Sequence, residues 1–258
     1  PAPPPPPTRA APPPPPAAAR NPLPPPPHTT PRHEEHTRMN MTPLITPRPD
    51  FELDHFFVSV PGLESGSPMV EDAGFITTPS HLHSGQGTAS RGVLFENAYL
   101  EFIWLTDLAE AESPEIRRTR LGVRTDPDSG ECPFGIGLRR SGDRDPSLPF
   151  GTWDYRPPYL PEGLAFQMGV NSEELGEPLV FFMPWLSEPS RPSSKHPSGA
   201  RRVSRLEIVL GGEAIDSPTL IELAAARVVS FRAGPEYFMD VELDEGKSGQ
   251  SLDLRPEI

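Results

Sequence analysis

The sequence predicts an α+β fold of paired βαβββ modules, whose curved mixed sheets follow a disordered proline-rich arm. Three observations predict it. Residues 1 to 49 hold 20 of the 39 prolines, with almost no apolar side chains to bury, so that segment is expected to be a solvated polyproline-II-like arm. Residues 51 to 105 read in the order strand, helix, strand, strand, strand. A strand, a glycine turn and a helix then return near residue 203, a faint internal repeat.

FELDHFFVSV (51 to 60) is short and rich in Phe and Val, as a buried strand should be. A weak helix follows and closes at Gly74. FITTPSHL reads as a strand, HSGQGTA as a loop, SRGVLFE as a strand, and AYLEFIWL as a strand after a turn at Asn97. In the second half PFGIGLRR, GLAFQMGV and PLVFFMPW read as strands. The first two are separated by the long loop RDPSLPFGTWDYRPPYLPEG, of the kind that serves as a lid or packed covering. RRVSRLEIVLGG, a helix from about Pro218 to Arg227, and the strands YFMDVEL and QSLDLRP complete the chain. The organisation expected is therefore an arm over 1–49, a first βαβββ module over 50–110 and a second, irregular module or modules over 111–258.

Charge narrows the partners. Residues 1–50 carry a net +2 of a total −13, leaving −15 for the rest. An acidic folded part argues against nucleic acid, which needs a basic face. The patches around Arg117–Arg120 and Arg201–Arg202 read as solvated faces or ion-pair partners. The single cysteine, Cys132, allows no internal disulfide and reads as a spectator thiol. No apolar run reaches membrane-spanning length and no signal-peptide core is visible, so a cytoplasmic protein is expected. The arm is expected to be an upstream extension, with the working protein beginning near Met39.

Chemistry is concentrated in two strands. Alternation places Leu53, His55, Phe57 and Ser59 on one face of the first, and Phe56, Val58 and Val60 on the other. In AYLEFIWL, Tyr99, Glu101 and Ile103 share one face, and Leu100, Phe102 and Trp104 the opposite one. Neighbouring strands would bring His55 and Glu101 into one hollow. A lone carboxylate in an apolar strand needs a partner, and an imidazole with a carboxylate suits a divalent ion such as Zn, Mn, Fe, Ni or Co. A third ligand would come from His196, or from His81 or His83. Tyr99, Trp104, Trp153, Tyr155 and Trp185 are candidates to cover an apolar ligand, with Tyr159 in the same loop as Trp153 and Tyr155. Arg91 or Arg156 would hold an anion or a carbonyl. GQGTAS lacks the Lys and Ser/Thr of a phosphate-binding loop, and GIGLRR fails the dinucleotide pattern.

LDHFFVSV, HSGQGTASR, FENAYLEFIWLTD, RRTRLG, PFGIGL, WDYRPPYLPEGL and HPSGARR together resemble the vicinal oxygen chelate superfamily. More narrowly, they are similar to its bacterial glyoxalase-like domain proteins. The resemblance runs from about residue 51 to 205. It implies a metal ligand from the first strand of the first module and a Glu from its last, which match His55 and Glu101. It also implies two more ligands from the second module, where PFGIGLRR offers Gly or Ile and PLVFFMPW no carboxylate. Taking VSRLEIVL as the matching strand instead would set Arg205 opposite His55. The favoured expectation is a metal-assisted, glyoxalase-like enzyme, of lyase or isomerase type, on a small oxygenated substrate, with His55 and Glu101 catalytic. The alternative is a metal-free binding protein like those of bleomycin resistance. A ring-cleaving dioxygenase ranks third, for want of a second well-placed histidine. The resemblance also makes a homodimer plausible.

Overall fold

The computed structural model describes residues 49–63, 65–142, 146–212, 217–247 and 249–255; the expected arm, Pro49 apart, lies outside them. The first module is β1 (Phe51–Ser59), α1 (Ser67–Asp72), β2 (His81–His83), β3 (Thr88–Leu94) and β4 (Tyr99–Leu105). Two short helices follow, α2 (Leu108–Ala111) and α3 (Leu121–Arg124), then β5 (Phe134–Arg140), β6 (Thr152–Tyr155), β7 (Phe166–Gly169) and β8 (Leu179–Met183). These eight strands form one sheet in the order β2-β3-β4-β1-β5-β8-β7-β6. Each half places its first strand parallel to its last, and β1 meets β5 antiparallel along the seam. β9 (Val203–Gly211), α4 (Pro218–Ala225), β10 (Ser230–Gly234), β11 (Phe238–Leu243) and β12 (Ser251–Leu254) make a second sheet, ordered β10-β9-β11-β12. The α+β fold of paired modules is thus as expected.

Details differ. Residues 75–80, expected as strand, contribute only a bridge from Thr77 to Val93. The long aromatic loop contains β6, and β10 lies in a stretch read as connection. The strand opposite β1 is β5, so Gly137 and not Arg205 faces His55. The echo at β9 does not extend to topology. β9 has the next strand, β10, as its parallel neighbour, whereas β1 has the last strand of its module, β4.

Alternation along the strands divides the apolar residues between two cores. Phe56, Val58, Leu100, Phe102 and Trp104 pack with Ile136, Leu138, Val180 and Phe182 in the larger one. Ile208, Met239 and Val241 of the second sheet and Leu220 and Leu223 of α4 close that core. On the opposite face, Phe57, Ile103, Tyr155, Met168, Leu179, Phe181 and Met183 form a smaller cluster. The cavity opens on this second face. Among the described residues no helix is long and apolar enough to cross a membrane. The basic patches find ion partners: Arg118 pairs with Glu173, and Arg201 and Arg202 with Glu96.

Candidate active site

A cavity of about 460 Å³ lies between the two halves of the eight-stranded sheet. That volume suits a small organic molecule. One side is polar and comes from the first module: His55 on β1, His81 and His83 on β2, Gln86 in the β2–β3 turn, and Tyr99 and Glu101 on β4. The other side is apolar and comes mainly from the second half: Phe166, Met168, Leu179, Phe181 and Met183.

His55 is oriented by its sequence neighbour. Side chains of adjacent strand residues normally point to opposite faces. Here the β1–β5 register shifts between Leu53 and His55, leaving Asp54 as an extra residue that bends the strand. His55 Nδ1 consequently stands 2.8 Å from Asp54 Oδ2. Asp54 is fully buried and also accepts from Ser190 N at 3.0 Å, Ser190 Oγ at 2.8 Å and Arg139 Nη1 at 3.4 Å. Burial alone would raise its pKa, but the hydrogen bond and charge of His55 and the two bonds from Ser190 together hold it below the ordinary value for an aspartate. An ionised Asp54 can only accept, so His55 Nδ1 carries the hydrogen and Nε2 is the ring nitrogen turned to the cavity.

That nitrogen faces Glu101. His55 Nε2 is 4.0 Å from Glu101 Oε2, and His83 Nε2 is 3.9 Å from Glu101 Oε1. Glu101 is 7% exposed, and among the described residues no donor hydrogen-bonds its carboxylate. His83 is pushed below its ordinary pKa by burial, against the opposing pull of Glu101 and with the help of His81, Arg191 and His55. It reaches the site because Gly85 and Gly87, both at positive φ (80° and 78°), fold the chain back and pair His83 with Thr88. A Cβ on Gly87 would stand 2.1 Å from Asp107 O, so this turn admits no side chain there. His83 Nδ1 meets Thr88 Oγ1 at 2.9 Å, and Gln86 Nε2 donates to the same hydroxyl at 2.8 Å. Gln86 Oε1 in turn accepts from Tyr155 at 2.7 Å and Tyr159 at 3.2 Å. Burial raises the pKa of both phenols, which keeps them protonated as donors.

Two imidazoles and one carboxylate are the donor types that hold Zn, Fe, Mn or Ni. In a tetrahedral shell with bonds of about 2.1 Å, neighbouring donors sit roughly 3.4 Å apart. The separations of 3.9 and 4.0 Å here are wider, and no group of three His, Cys, Asp or Glu among the described residues already stands in a metal-holding arrangement. The donors fit a divalent ion in kind, and each imidazole would have to draw closer to Glu101 to hold one.

Of the residues picked from sequence, His55, Glu101, Tyr99 and Tyr155 line the cavity. His196 does not. Its Nδ1 accepts from Ile76 N and its Nε2 meets Leu94 O, each at 3.0 Å, and its ring packs against Phe75 and Phe95. Both nitrogens are occupied in pinning a crossing loop, so His196 has no lone pair to offer a metal. Trp104 belongs to the larger core on the far face of β4. Arg91 leans on Ser67 and Glu71. Trp153 donates to Ser172 Oγ at 2.9 Å and lies under Arg118, while Trp185 packs on Phe166 outside the cavity lining. Arg156 is exposed and paired with Asp154. Asp54, Gln86, Ser190 and Arg191 are not among the residues expected from the sequence, and His83, expected only as an alternative to His196, is the one of the two that lines the cavity.

No curated protein matches the chain. Solved structures of similar fold include a mutant of 4-hydroxymandelate synthase from Streptomyces coelicolor, at 12% identity and a TM-score of 0.43, over 80% of this chain and 62% of that one. This chain therefore spans less than two thirds of the synthase. Methylmalonyl-CoA epimerase from Streptomyces coelicolor is similar at 14% identity and a TM-score of 0.34, over 51% of this chain and 94% of that one. A hypothetical protein from Staphylococcus aureus is similar at 10% identity and 0.43, over 75% and 82%. A family model described as a glyoxalase-like domain matches residues 53–213, a span that contains the whole eight-stranded sheet except the first two residues of β1. The chain belongs to the glyoxalase-like domain family.

Proposed function

We propose that the chain is a metal-assisted enzyme acting on a small oxygenated organic substrate, with His55, Glu101 and His83 holding a divalent ion. One observation carries the reading: a buried carboxylate without a hydrogen-bond donor stands between two imidazole nitrogens. Such a carboxylate is costly to bury unless a cation or a proton joins it to its neighbours. Bound there, the ion would act as a Lewis acid toward vicinal substrate oxygens.

The chain's own residues do the rest. Asp54 fixes the His55 tautomer, and Gln86, held by Tyr155 and Tyr159, positions Thr88 and through it His83. Phe166, Phe181 and Met183 cover the apolar part of the substrate and keep water from it. Glu101, the carboxylate at the polar wall, takes the proton from a carbon beside the substrate carbonyl and returns it, as isomerisation of the glyoxalase type requires. Two histidines and one carboxylate are also the donor set of non-haem Fe(II) oxygenases, so the presence of His83 restores support to the ring-cleaving reading.

Elemental mass spectrometry on untagged protein tests the metal. A near-stoichiometric transition metal in the wild type, lost in His55→Ala, His83→Ala and Glu101→Ala proteins that remain folded by circular dichroism, is the expected result. No uptake on titration with Zn, Mn, Fe(II), Ni or Co would sink the metalloenzyme and leave the non-catalytic binding protein. The apolar run of Phe166, Met168, Leu179, Phe181 and Met183 in the cavity wall is what favours that second reading.

A further inference from the structure

Among the described residues Arg191 is the one arginine in the cavity lining. Its guanidinium lies 5.5 Å from the Tyr99 ring centroid, and among the described residues it has neither an ion pair nor a hydrogen bond. The chain has 36 acidic and 23 basic side chains, so carboxylates are in excess, yet no described one pairs with Arg191. Its placement is built. Ser190 is tied to buried Asp54 through both N and Oγ, so the residue that orients His55 also fixes the backbone beside Arg191. Pro192 restricts Arg191 to extended backbone. Further along, Ser194 N donates to Leu94 O, His196 bridges Ile76 and Leu94, and Ser198 N donates to Gly74 O. The loop is therefore a strap laid across the first module, carrying one unpaired cation to the cavity. Tyr99, next to Arg191, stacks on His55 at 4.5 Å, so the guanidinium stands near the polar cluster.

We infer that the substrate is a carboxylate with an apolar, aromatic-sized body. Arg191 binds the carboxylate, the wall of Phe166, Phe181 and Met183 takes the body, and the carbon between them lies at His55, Glu101 and His83. This deepens the proposed function and rests on its reading of the cavity as the substrate site. It is independent of the metal.

The test uses 3-phenylpropanoate and its neutral isostere 3-phenylpropanamide, neither of which has a group to turn over. Affinities are read by isothermal titration of the full-length protein with EDTA present. The acid is expected to bind wild-type protein about tenfold or more tighter than the amide, the usual weight of charge-assisted hydrogen bonds. Arg191→Gln should abolish that preference and leave the amide unchanged; Arg191→Lys should keep part of it, since the charge survives and the planar fork does not. Arg156→Gln, at an exposed pair, should change neither. Equal affinities in the wild type, equal losses for both ligands in Arg191→Gln, or no binding of the acid at all would each overturn the assignment. Chelation makes these outcomes separable from failure of the metal reading, which metal uptake decides.

Discussion

Adding one methyl group at the seam of the sheet should dislodge His55. Gly137 pairs with His55 across β1 and β5. A Cβ built on Gly137 would lie 2.5 Å from His55 Cε1, 2.7 Å from Nδ1 and 2.8 Å from Nε2. Unstrained carbon contacts begin near ~3.5 Å, so the ring would have to retreat by about 1 Å. It has little room, because Nδ1 is held by Asp54 at 2.8 Å, Tyr99 stacks on the ring at 4.5 Å, and Phe181 stands edge-on at 5.1 Å. Gly137 has no positive φ, so the penalty is contact and not backbone strain. Overpacking of this size costs about 1–3 kcal/mol. A weakened bond to a charged partner adds roughly 1.5–3 kcal/mol, short of full additivity.

Gly137→Ala should therefore lose about 2–4 kcal/mol, which for a domain near 200 residues is roughly 5–15 °C in Tm. Thermal unfolding reads the loss. Long-range nitrogen–proton correlation spectra of the histidine rings read the cause, as loss of the Nδ1–H form of His55. Gly62→Ala is the control, since nothing lies within 4 Å of a Cβ there and its φ is not positive. A Gly137→Ala protein with wild-type Tm and an unchanged His55 spectrum would refute the argument.

Two further predictions follow from the same neighbourhood. The folded pKa of Asp54 lies below the ordinary value for an aspartate, so its stabilisation is complete above that ordinary value and is lost as pH falls through the lower folded one. Asp54→Asn should remove that acid transition and cost about 3 kcal/mol or more at neutral pH, because buried Arg139 loses a charged partner; identical acid unfolding of both proteins would count against it. Cys132 is fully buried and its thiol is pushed up to about 12 by burial. It should resist a disulfide-exchange reagent at pH 8 in native protein and react fully in urea, and rapid labelling without denaturant would contradict this.

The separation of the two faces was legible because β4, and β1 from His55 onward, obey period two: His55, Phe57, Tyr99, Glu101 and Ile103 face the cavity, and Phe56, Val58, Leu100, Phe102 and Trp104 the core, while the bulge at Asp54 turns Leu53, expected beside His55, to the core. The same alternation placed Trp104 on the core face, and grouping it with the ligand-binding aromatics ignored that. His83 could have been ranked above His196. A glycine-containing turn between HLH and TAS is a hairpin signal, and the hairpin pairs His83 with Thr88 at the cavity wall. Asp54 could not have been found, since a bulge exists only relative to the partner strand that sets the register. Arg191 is a loop residue 90 positions from Glu101, and nothing in its local pattern points inward. His196 looked like a ligand because its type was right, but only the fold reveals that both of its nitrogens are spent on backbone groups.

The glycines of PFGIGLRR, which read from sequence as missing metal ligands, have a positive role in the structure. A Cβ on Gly135 would stand 1.9 Å from Phe57, and one on Gly137 2.5 Å from His55. The seam can hold large rings on only one of its two strands, and here β1 carries them. That choice removes any donor from β5 at those positions and leaves Phe181 and Met183 on the next strand to form an apolar wall. The cavity is consequently one-sided, with its reactive groups on the first module and its greasy contacts on the second. A substrate held at a single polar wall needs another fixed point to hold it in register, and the strap that bears Arg191 crosses the first module to supply one.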